Sequence, residues 1–229
     1  MSVGLSVVCG ASGGLGPAVL DALAPTGDTL VGVASQRSER SRLQDLRADV
    51  RWELIDLTDP SAVADLWRRL DSQGEVHRLV NVTGGFTAGR LLESPPEVVR
   101  AMFGVNLDAA WWSSREAARL MVAGGGGAIV NVASQAGITL AGGSAAYTVA
   151  KAALIAMTRV LATELTGTGV RVNAIAPRTI DTPANRTWMG AADIAGAASP
   201  ERVAAVIASL CDGPMSAVSG AILPVTGDR

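Results

Sequence analysis

Apolar residues fall into two kinds of segment that alternate along this chain. Short apolar runs, many of them β-branched, predict strands, and longer segments with apolar residues every three or four positions predict helices. The predicted strands are residues 5–9, 29–34, 51–55, 78–81, 128–133, 171–175 and 221–225. The predicted helices are residues 17–24, 38–48, 60–70, 95–122 with a break near Gly104, a helix that carries Tyr147 and Lys151 and ends at about residue 165, and residues 200–211.

The alternation of strands and helices also predicts the topology. Strands joined by helices need right-handed crossovers, which place the strands in parallel. The runs VNVTG, AIVNVAS and VRVNAIAP are continuously apolar or β-branched, as strands covered by helices on both faces should be. We therefore predict an α/β fold, a single Rossmann-type doubly wound domain of residues 1–229 with a seven-stranded parallel sheet flanked by helices and a short substrate loop at about residues 183–198.

Composition and charge narrow the classes of function. The chain has 229 residues, 48% of them hydrophobic and 17% charged, which suits one α/β unit with a large core. A net charge of −2 with both signs interspersed predicts no nucleic-acid and no membrane partner. The amino terminus lacks the basic start of a signal peptide, and no apolar stretch reaches about 18 residues, so we expect a cytoplasmic protein that acts on small molecules.

Cysteine and histidine usage limits the chemistry further. Cys9 and Cys211 are the two cysteines and lie far apart, so they predict buried thiols rather than a disulfide framework or a metal site. His77 is the sole histidine and stands where a strand begins, at the wrong end of the sheet for an α/β site. It therefore predicts a structural or exposed side chain and disfavours a Ser-His-Asp hydrolase.

A glycine-rich segment, GASGGLG, joins the first predicted strand to the first predicted helix. Gly10, Gly14 and Gly16 in this context predict a phosphate-binding turn, because the backbone N–H groups at the start of a helix point at an anion. The alternative is a loop whose glycines serve only close packing.

Tyr147 is the only tyrosine, and Lys151 follows it by four positions in an Ala-rich segment. On a helix the two side chains share one face, which puts an ammonium beside a phenol. A nearby cation favours the phenolate and lowers the pKa of the tyrosine, which then exchanges a proton with a carbonyl or alcohol oxygen. Taken alone, this spacing is more often that of an ordinary surface pair.

These motifs are predicted to meet at one rim of the sheet. The Gly10 loop, the turn at Asn81, Ser134 and Pro177 each follow a predicted strand. The carboxyl ends of parallel strands lie at one edge, where α/β sheets bind their ligands. The sequence therefore predicts a single site there.

With these residues in place, the chain resembles the classical short-chain dehydrogenase/reductase family, and in particular its 3-oxoacyl-carrier-protein reductases, over nearly its whole length. The family's T-G-x-x-x-G-x-G motif is similar to residues 9–16, and its N-N-A-G turn is similar to residues 81–84. Its active-site Ser precedes its Tyr by thirteen residues, as Ser134 precedes Tyr147. Its P-G-x-I-x-T segment resembles residues 177–182.

The resemblance implies hydride transfer between a nicotinamide and a carbon that bears oxygen, with four catalytic residues. Tyr147 would donate the proton to the developing alkoxide, and Ser134 would hydrogen-bond the same oxygen. Lys151 would lower the pKa of Tyr147 and bond the nicotinamide ribose. Asn106 would hold a water molecule that connects Lys151 to solvent.

The resemblance also implies which residues bind the cofactor. They are Gly10, Ser12, Gly14, Leu15, Gly16, Asp56, Leu57, Asn81, Gly84, Lys151, Pro177, Ile180 and Thr182. At the end of the second strand an acid selects NAD, whereas an arginine accepts the 2′-phosphate of NADP. Ser35 and Arg37 stand there with no acid before Glu39, so we expect NADP(H) rather than NAD(H), with Ser35 and Arg37 as phosphate ligands. The alternative for Arg37 is a solvated charge that opens a helix.

Two features depart from the family or stay open. Arg178 replaces the glycine that follows the family's proline, and it either braces the cofactor diphosphate, attracts an anionic substrate or points outward. Trp188 and Met189 are the bulky apolar residues of the substrate loop, and they either line a substrate pocket or anchor the loop on the core.

The leading hypothesis is therefore an NADP-dependent carbonyl reductase or alcohol dehydrogenase. We expect a homotetramer or homodimer that pairs through the helices carrying Asn106 and Tyr147, with the Trp111–Trp112 pair in the core or at the interface. The alternative is a catalytically silent dinucleotide-binding regulatory protein on the same fold. An extended-branch epimerase is disfavoured, because too little chain follows Asp181 for a substrate domain.

Overall fold

The computed structural model describes residues 4–38, 40–187, 189–190, 194–212 and 215–227. Each of the seven predicted strands is present, and each boundary lies within three residues of its predicted position. The strands are β1 Gly4–Cys9, β2 Thr29–Ala34, β3 Arg51–Leu54, β4 Glu75–Asn81, β5 Gly127–Val132, β6 Val170–Pro177 and β7 Ile222–Val225. The sequence pattern thus located every strand of this sheet.

In the part of the chain that the structure describes, the helices follow the predicted pattern, with short additions and one interruption. They are α1 Gly16–Leu23, α2 Arg40–Leu46, α3 Pro60–Asp71, α4 Pro96–Phe103, α5 Ala109–Ala123, α6 Gln135–Thr139, α7 Ala145–Glu164, α8 Pro183–Arg186 and α9 Pro200–Cys211. The long predicted helix at 95–122 is interrupted by a π-helical turn at Gly104–Asp108, where the break was expected. The sequence analysis did not predict α6 and α8, because each is a single turn too short to show a period.

All seven strands are parallel and lie in the order β3-β2-β1-β4-β5-β6-β7. The chain therefore starts in the middle of the sheet, builds one half, and returns beside β1 to build the other. The strand order reverses between β1 and β4, and ligands bind outside the carboxyl ends of the strands at such a point. This topology confirms the predicted doubly wound Rossmann-type sheet.

Helices cover both faces of the sheet, as the apolar strands require. Successive residues of β1 point to opposite faces: Val8 packs in one core cluster with Leu20 of α1 and Ile207 of α9. Val7 packs on the other face in a cluster that includes Trp67 of α3 and residues of α5. Burial on both faces explains why the strands read as continuous apolar runs rather than alternating ones.

Local signals fix where individual helices begin. The Asp59 carboxylate accepts a hydrogen bond from Ser61 N at 2.8 Å and so caps α3, and Pro60 occupies the first turn. Ser199 and Pro200 play the same two parts at the start of α9. These caps explain why both helices begin where the sequence predicted.

Helix α7 is the longest helix among the residues described. By length and hydropathy alone it could cross a membrane, but half of its most apolar window is buried inside the protein. It packs against α4, α6 and β6. This packing accounts for the buried apolar residues of α7, such as Leu154 and Ile155.

The amino-terminal end of the sheet carries a cluster of paired charged and polar groups. Ser6 donates to Asp28 at 2.8 Å, the His77 ring nitrogen Nδ1 lies 3.2 Å from the same carboxylate, and Arg78 forms an ion pair with it. Arg78 also donates twice to Asp212, at 2.8 and 2.7 Å, and so ties β4 to the end of α9. His77 thus has a structural partner and lies far from the carboxyl ends of the strands, as predicted.

Candidate active site

Helix α7 presents Tyr147 beside the end of β5, and Ser134, the residue that caps α6, hydrogen-bonds the phenol. Burial raises the pKa of Tyr147, and the hydrogen bond with Ser134 lowers it by less. The net direction is opposite to the one predicted from the spacing to Lys151. The tyrosine therefore keeps its proton at neutral pH in this structure.

Lys151 explains why the predicted lowering of the tyrosine pKa is absent. Its Nζ donates to the main-chain oxygen of Val132 at 2.7 Å, so the ammonium is directed to the end of β5. The side chain is buried, and desolvation lowers the pKa of Lys151 from 10.5 to about 8. Tyr147 and Lys151 do share one face of α7, but the Lys151 ammonium donates to a main-chain carbonyl and not to the phenol.

Asn106 lies in the π-helical turn between α4 and α5, and main-chain groups hold its side chain in place. Its Nδ2 donates to Met102 O and to Gly85 O, both at 3.0 Å, and its Oδ1 accepts from Gly85 N at 3.2 Å. A π-bulge widens a helix locally and is frequent at functional sites. Here it allows Asn106 to reach across and fix the loop that follows β4.

Gly84 brings Asn106 and Lys151 to the same place. A Cβ at Gly84 would stand 3.0 Å from Asn106 Oδ1 and 3.4 Å from Lys151 Nζ. The two polar groups therefore flank a gap that only a glycine leaves open. Together with Ser134 and Tyr147, the four predicted catalytic residues lie at one site.

Two neighbours of these residues were missed by the sequence analysis. Phe86 meets Tyr147 edge-to-face, with ring centroids 5.1 Å apart. Gly137 lets α6 approach α7, since a Cβ there would lie 2.7 Å from the main-chain carbon of Lys151. No spacing rule in the sequence joins residues 86 and 147, because the contact depends on how the loop after β4 folds over α7.

The glycine loop between β1 and α1 is shaped to receive an anion. Gly10 adopts φ 87°, which a glycine allows without strain, and its N–H donates to Val33 O. The main-chain N–H groups of Ser12, Gly14 and Leu15 have no acceptor in the part of the chain that the structure describes. These free donors at the start of α1 fit a diphosphate.

The loop also packs closely against the segment that follows β6. A Cβ at Gly14 would stand 2.7 Å from Thr182 Cβ, so a larger residue would separate the loop from that segment. Thr83 Oγ1 is buried beside Gly10 and has no hydrogen-bond partner among the described residues. Both observations fit a nucleotide cofactor lying along this loop.

One cavity of about 780 Å³ connects the glycine loop with the four catalytic candidates. The predicted site residues that line it are Gly14, Gly84, Asn106, Ser134, Tyr147, Lys151, Pro177, Ile180 and Thr182. Polar side chains that were not predicted, including Gln135, Ser144 and Asn185, also line it. Met189 of the predicted substrate loop also lines the cavity. Trp188 lies outside the described residues.

A second cavity of about 670 Å³ lies at the other end of the predicted cofactor site. Ser12, Arg37 and Arg42 line it, together with Asp45. Ser35 is not among the residues that line this cavity, but its Oγ accepts a hydrogen bond from Arg37 N at 3.3 Å. The second arginine was not singled out by the sequence analysis, although it lies five residues after Arg37.

The remaining predicted cofactor residues are placed differently from one another. Asp56 accepts hydrogen bonds from the hydroxyl and the N–H of Thr58, which lower the pKa of its carboxyl, and Arg37 contributes to the same shift. Leu57 is buried in the core. Asn81 turns its side chain inward to Ser114 and Asn131, so that side chain supports the sheet interior and does not line the main cavity.

The site combines a glycine turn with free N–H groups after β1, a switch point beside it, and a Ser–Tyr–Lys group after β5. These features define a doubly wound oxidoreductase that uses a nicotinamide cofactor. The family model described as enoyl-(acyl carrier protein) reductase matches residues 10–227. The chain belongs to the short-chain dehydrogenase/reductase family and is an oxidoreductase that acts on CH–OH or C=O groups.

Characterised relatives agree with this assignment. Galactitol 2-dehydrogenase (L-tagatose-forming) of Cereibacter sphaeroides is 32% identical over 236 residues, which cover 97% of this chain and 93% of that protein. The 3-oxoacyl-[acyl-carrier-protein] reductase FabG of Escherichia coli K12 is 30% identical over 184 residues, which cover 80% and 75%. The chain is thus similar to enzymes with quite different substrates.

A solved structure supports the fold and the cofactor class. A candidate NAD(P)-dependent gluconate 5-dehydrogenase from Beutenbergia cavernae, crystallised with NADP, superposes with a TM-score of 0.86 at 28% identity. The superposition covers 98% of this chain and 95% of the other. The predicted family and fold are confirmed.

Proposed function

We propose that this protein is an NADP(H)-dependent oxidoreductase that interconverts a carbonyl group and a secondary alcohol on a small molecule. The observation that carries the proposal is the cavity that Gly14 of the glycine loop lines together with Ser134, Tyr147 and Lys151. Its volume of about 780 Å³ accommodates part of a dinucleotide together with a small substrate.

Tyr147 is proposed as the proton donor in the reductive direction. A bound nicotinamide supplies the hydride to the carbonyl carbon, and the oxygen gains negative charge. The raised pKa of Tyr147 keeps its hydroxyl protonated until that charge develops. Ser134, which is already hydrogen-bonded to the phenol, donates to the same oxygen and stabilises it most in the transition state.

Lys151 and Asn106 are proposed to serve proton supply and cofactor orientation. Lys151, with a pKa of about 8, can hold or release a proton near neutral pH, and we propose that it also bonds the nicotinamide ribose. The gap beside Gly84 lies between Lys151 Nζ and Asn106 Oδ1, and we propose that a water molecule there connects the lysine to solvent.

The preference for NADP(H) is proposed from the second cavity. Two arginines and Ser12 line it, and the predicted cofactor site runs from the glycine loop towards it. Arginine binds a phosphate through two parallel N–H groups, which suits a 2′-phosphate. Asp45 also lines the cavity, so the net charge contributed by these side chains is smaller than two arginines alone would give.

We further propose a cytoplasmic homotetramer or homodimer. Trp111 on α5 and Val149 and Val160 on α7 are about half exposed, although such residues are usually buried. They lie on the two helices predicted to pair, and exposed apolar side chains of this size are typical of subunit interfaces. Light scattering at micromolar concentration tests this proposal, and a monomer mass would contradict it.

The activity is tested by following the absorbance of NADPH with a panel of ketones, 3-oxoacyl thioesters, quinones and keto sugars. We expect turnover of at least one class by the wild type and loss of it in Tyr147→Phe. Tight NADPH binding without turnover of any compound would contradict the proposal and favour the regulatory alternative.

A further inference from the structure

The main cavity has an unbalanced positive charge. Among the described residues that line it, Lys151 and Arg178 are charged, and none is an acid. Lys151 donates to Val132 O, and its charge already has proposed roles in proton supply and ribose binding. Arg178 therefore supplies the charge whose role is not explained by the proposed reaction.

Arg178 is held at its main chain but free at its side chain. Its N–H donates to Val225 O at 3.1 Å, which fixes the residue directly after β6 and beside the end of β7. Arg178 is exposed and is one of the residues that line the cavity, and its side chain forms no ion pair with any residue in the described ranges. The acid closest in sequence, Asp181, is already paired with Arg186 through two hydrogen bonds.

The sheet order places Arg178 nearer to the reacting group than to the glycine loop. Ser134 follows β5, the strand next to β6, whereas the loop follows β1, which is three strands away. Neighbouring strands are about 4.8 Å apart, so the end of β6 is about 5 Å from the end of β5 and about 14 Å from the end of β1 along the sheet. The N–H groups of Ser12, Gly14 and Leu15 already provide donors for the cofactor diphosphate.

We propose that Arg178 determines substrate specificity by binding an anionic group of the substrate, such as a carboxylate. This inference rests on the proposed function, because the substrate must occupy the cavity beside Ser134 and Tyr147. A guanidinium binds a carboxylate through two parallel N–H groups, which fixes orientation as well as adding affinity. The preferred substrates are therefore keto acids or hydroxy acids rather than neutral ketones.

The test compares levulinate with levulinamide, which differ in charge but hardly in shape. We expect kcat/KM to be higher for levulinate in the wild type, and the ratio of the two values to fall about tenfold in Arg178→Gln. Arg178→Lys should keep part of the ratio, because it keeps the charge but loses the paired N–H groups. Arg68→Gln, which removes the same charge from an exposed position on α3 outside the cavity lining, should keep all of it.

Binding is measured separately from turnover. Calorimetric titration of the protein–NADPH complex should show tighter binding of levulinate than of levulinamide, and Arg178→Gln should remove the difference. Absence of turnover with both compounds would contradict the proposed function, whereas the titration still tests the anion site. Equal affinities in the wild type, or an unchanged ratio in Arg178→Gln, would overturn the inference. Weaker NADPH binding in Arg178→Gln with an unchanged levulinate preference would also overturn it and assign the arginine to the cofactor.

Discussion

The amino-terminal and carboxyl-terminal ends of the parallel sheet use polar residues in different ways. At the amino-terminal end, Asp28 is enclosed by Ser6, His77 and Arg78, and the arginine is bonded again by Asp212. We call these five residues the amino-terminal cluster. Each member has a partner within the protein, and the cluster joins strands β1 and β4 to the end of α9.

At the carboxyl-terminal end, the polar groups keep unused capacity. Lys151 donates to Val132 O although its ammonium has three donors, and Arg178, which lines the cavity, forms no ion pair with the described residues. Desolvation raises the pKa of Tyr147 and lowers that of Lys151. Paired charges at one end serve stability, and incompletely paired groups at the other leave binding capacity for a ligand.

The largest effect of a single substitution is expected at Tyr147. Tyr147→Phe removes one hydroxyl, so we expect kcat to fall by about a thousandfold while the melting temperature changes little. Steady-state kinetics and thermal unfolding of the same preparation measure both. The NADPH dissociation constant should stay near the wild-type value, and a kcat within tenfold of the wild type would show that the proton comes from another group.

The buried ammonium of Lys151 should make the free energy of unfolding depend on pH. Below about pH 8 the folded and unfolded chains both carry the proton, and the folded protein bears the full cost of the buried charge. Between about pH 8 and pH 10.5 the folded protein loses the proton first, so its stability rises with pH. We expect the wild type to gain up to about 3 kcal/mol relative to Lys151→Met across this range.

Urea denaturation of both proteins at a series of pH values measures this gain. The difference between the two curves isolates the contribution of Lys151. Tyr147, Cys9 and Cys211 have raised pKa values, and these groups lower the stability of both proteins as the pH rises. Parallel curves would mean that burial does not lower the pKa of Lys151.

The amino-terminal cluster should show the reverse behaviour. Asp28→Asn leaves Arg78 and His77 without their shared carboxylate, and we expect a loss of about 2 kcal/mol in the free energy of unfolding. Because the cluster is at the far end of the sheet, kcat/KM should stay within twofold. Asp212→Asn is the matched control, since that carboxylate is about half exposed and its loss should cost less. A large fall in kcat/KM without destabilisation would contradict the assignment of the amino-terminal cluster to stability.

The smallest effect is expected at the second cavity. Arg37→Ala should raise the Michaelis constant for NADPH about tenfold and change that for NADH much less, because only NADPH carries the 2′-phosphate. Arg42→Ala should act in the same direction. Arg68→Ala, at an exposed arginine paired with Asp65 on α3, is the control. An unchanged preference in Arg37→Ala would contradict the assignment of this cavity to the phosphate.

The pattern of apolar residues was enough to predict the order and the type of nearly every element. Buried parallel strands must be apolar on both faces, so residues 128–133 and 171–175 could be recognised without any tertiary information. Helix starts such as Pro60 and Pro200 carry their own caps. Because parallel strands end at a common edge, the sequence also indicated that the Gly10 loop, Ser134 and Tyr147 would meet.

How those residues meet depends on the three-dimensional fold. The π-helical turn directs Asn106 to Gly85, and Lys151 bonds a carbonyl of β5 rather than the phenol beside it. The edge contact of Phe86 with Tyr147 likewise depends on a loop, and Arg178 lines the cavity because β6 ends there. Hydrogen-bond partners, burial and pKa are properties of three-dimensional surroundings, which residue spacing along one helix does not contain.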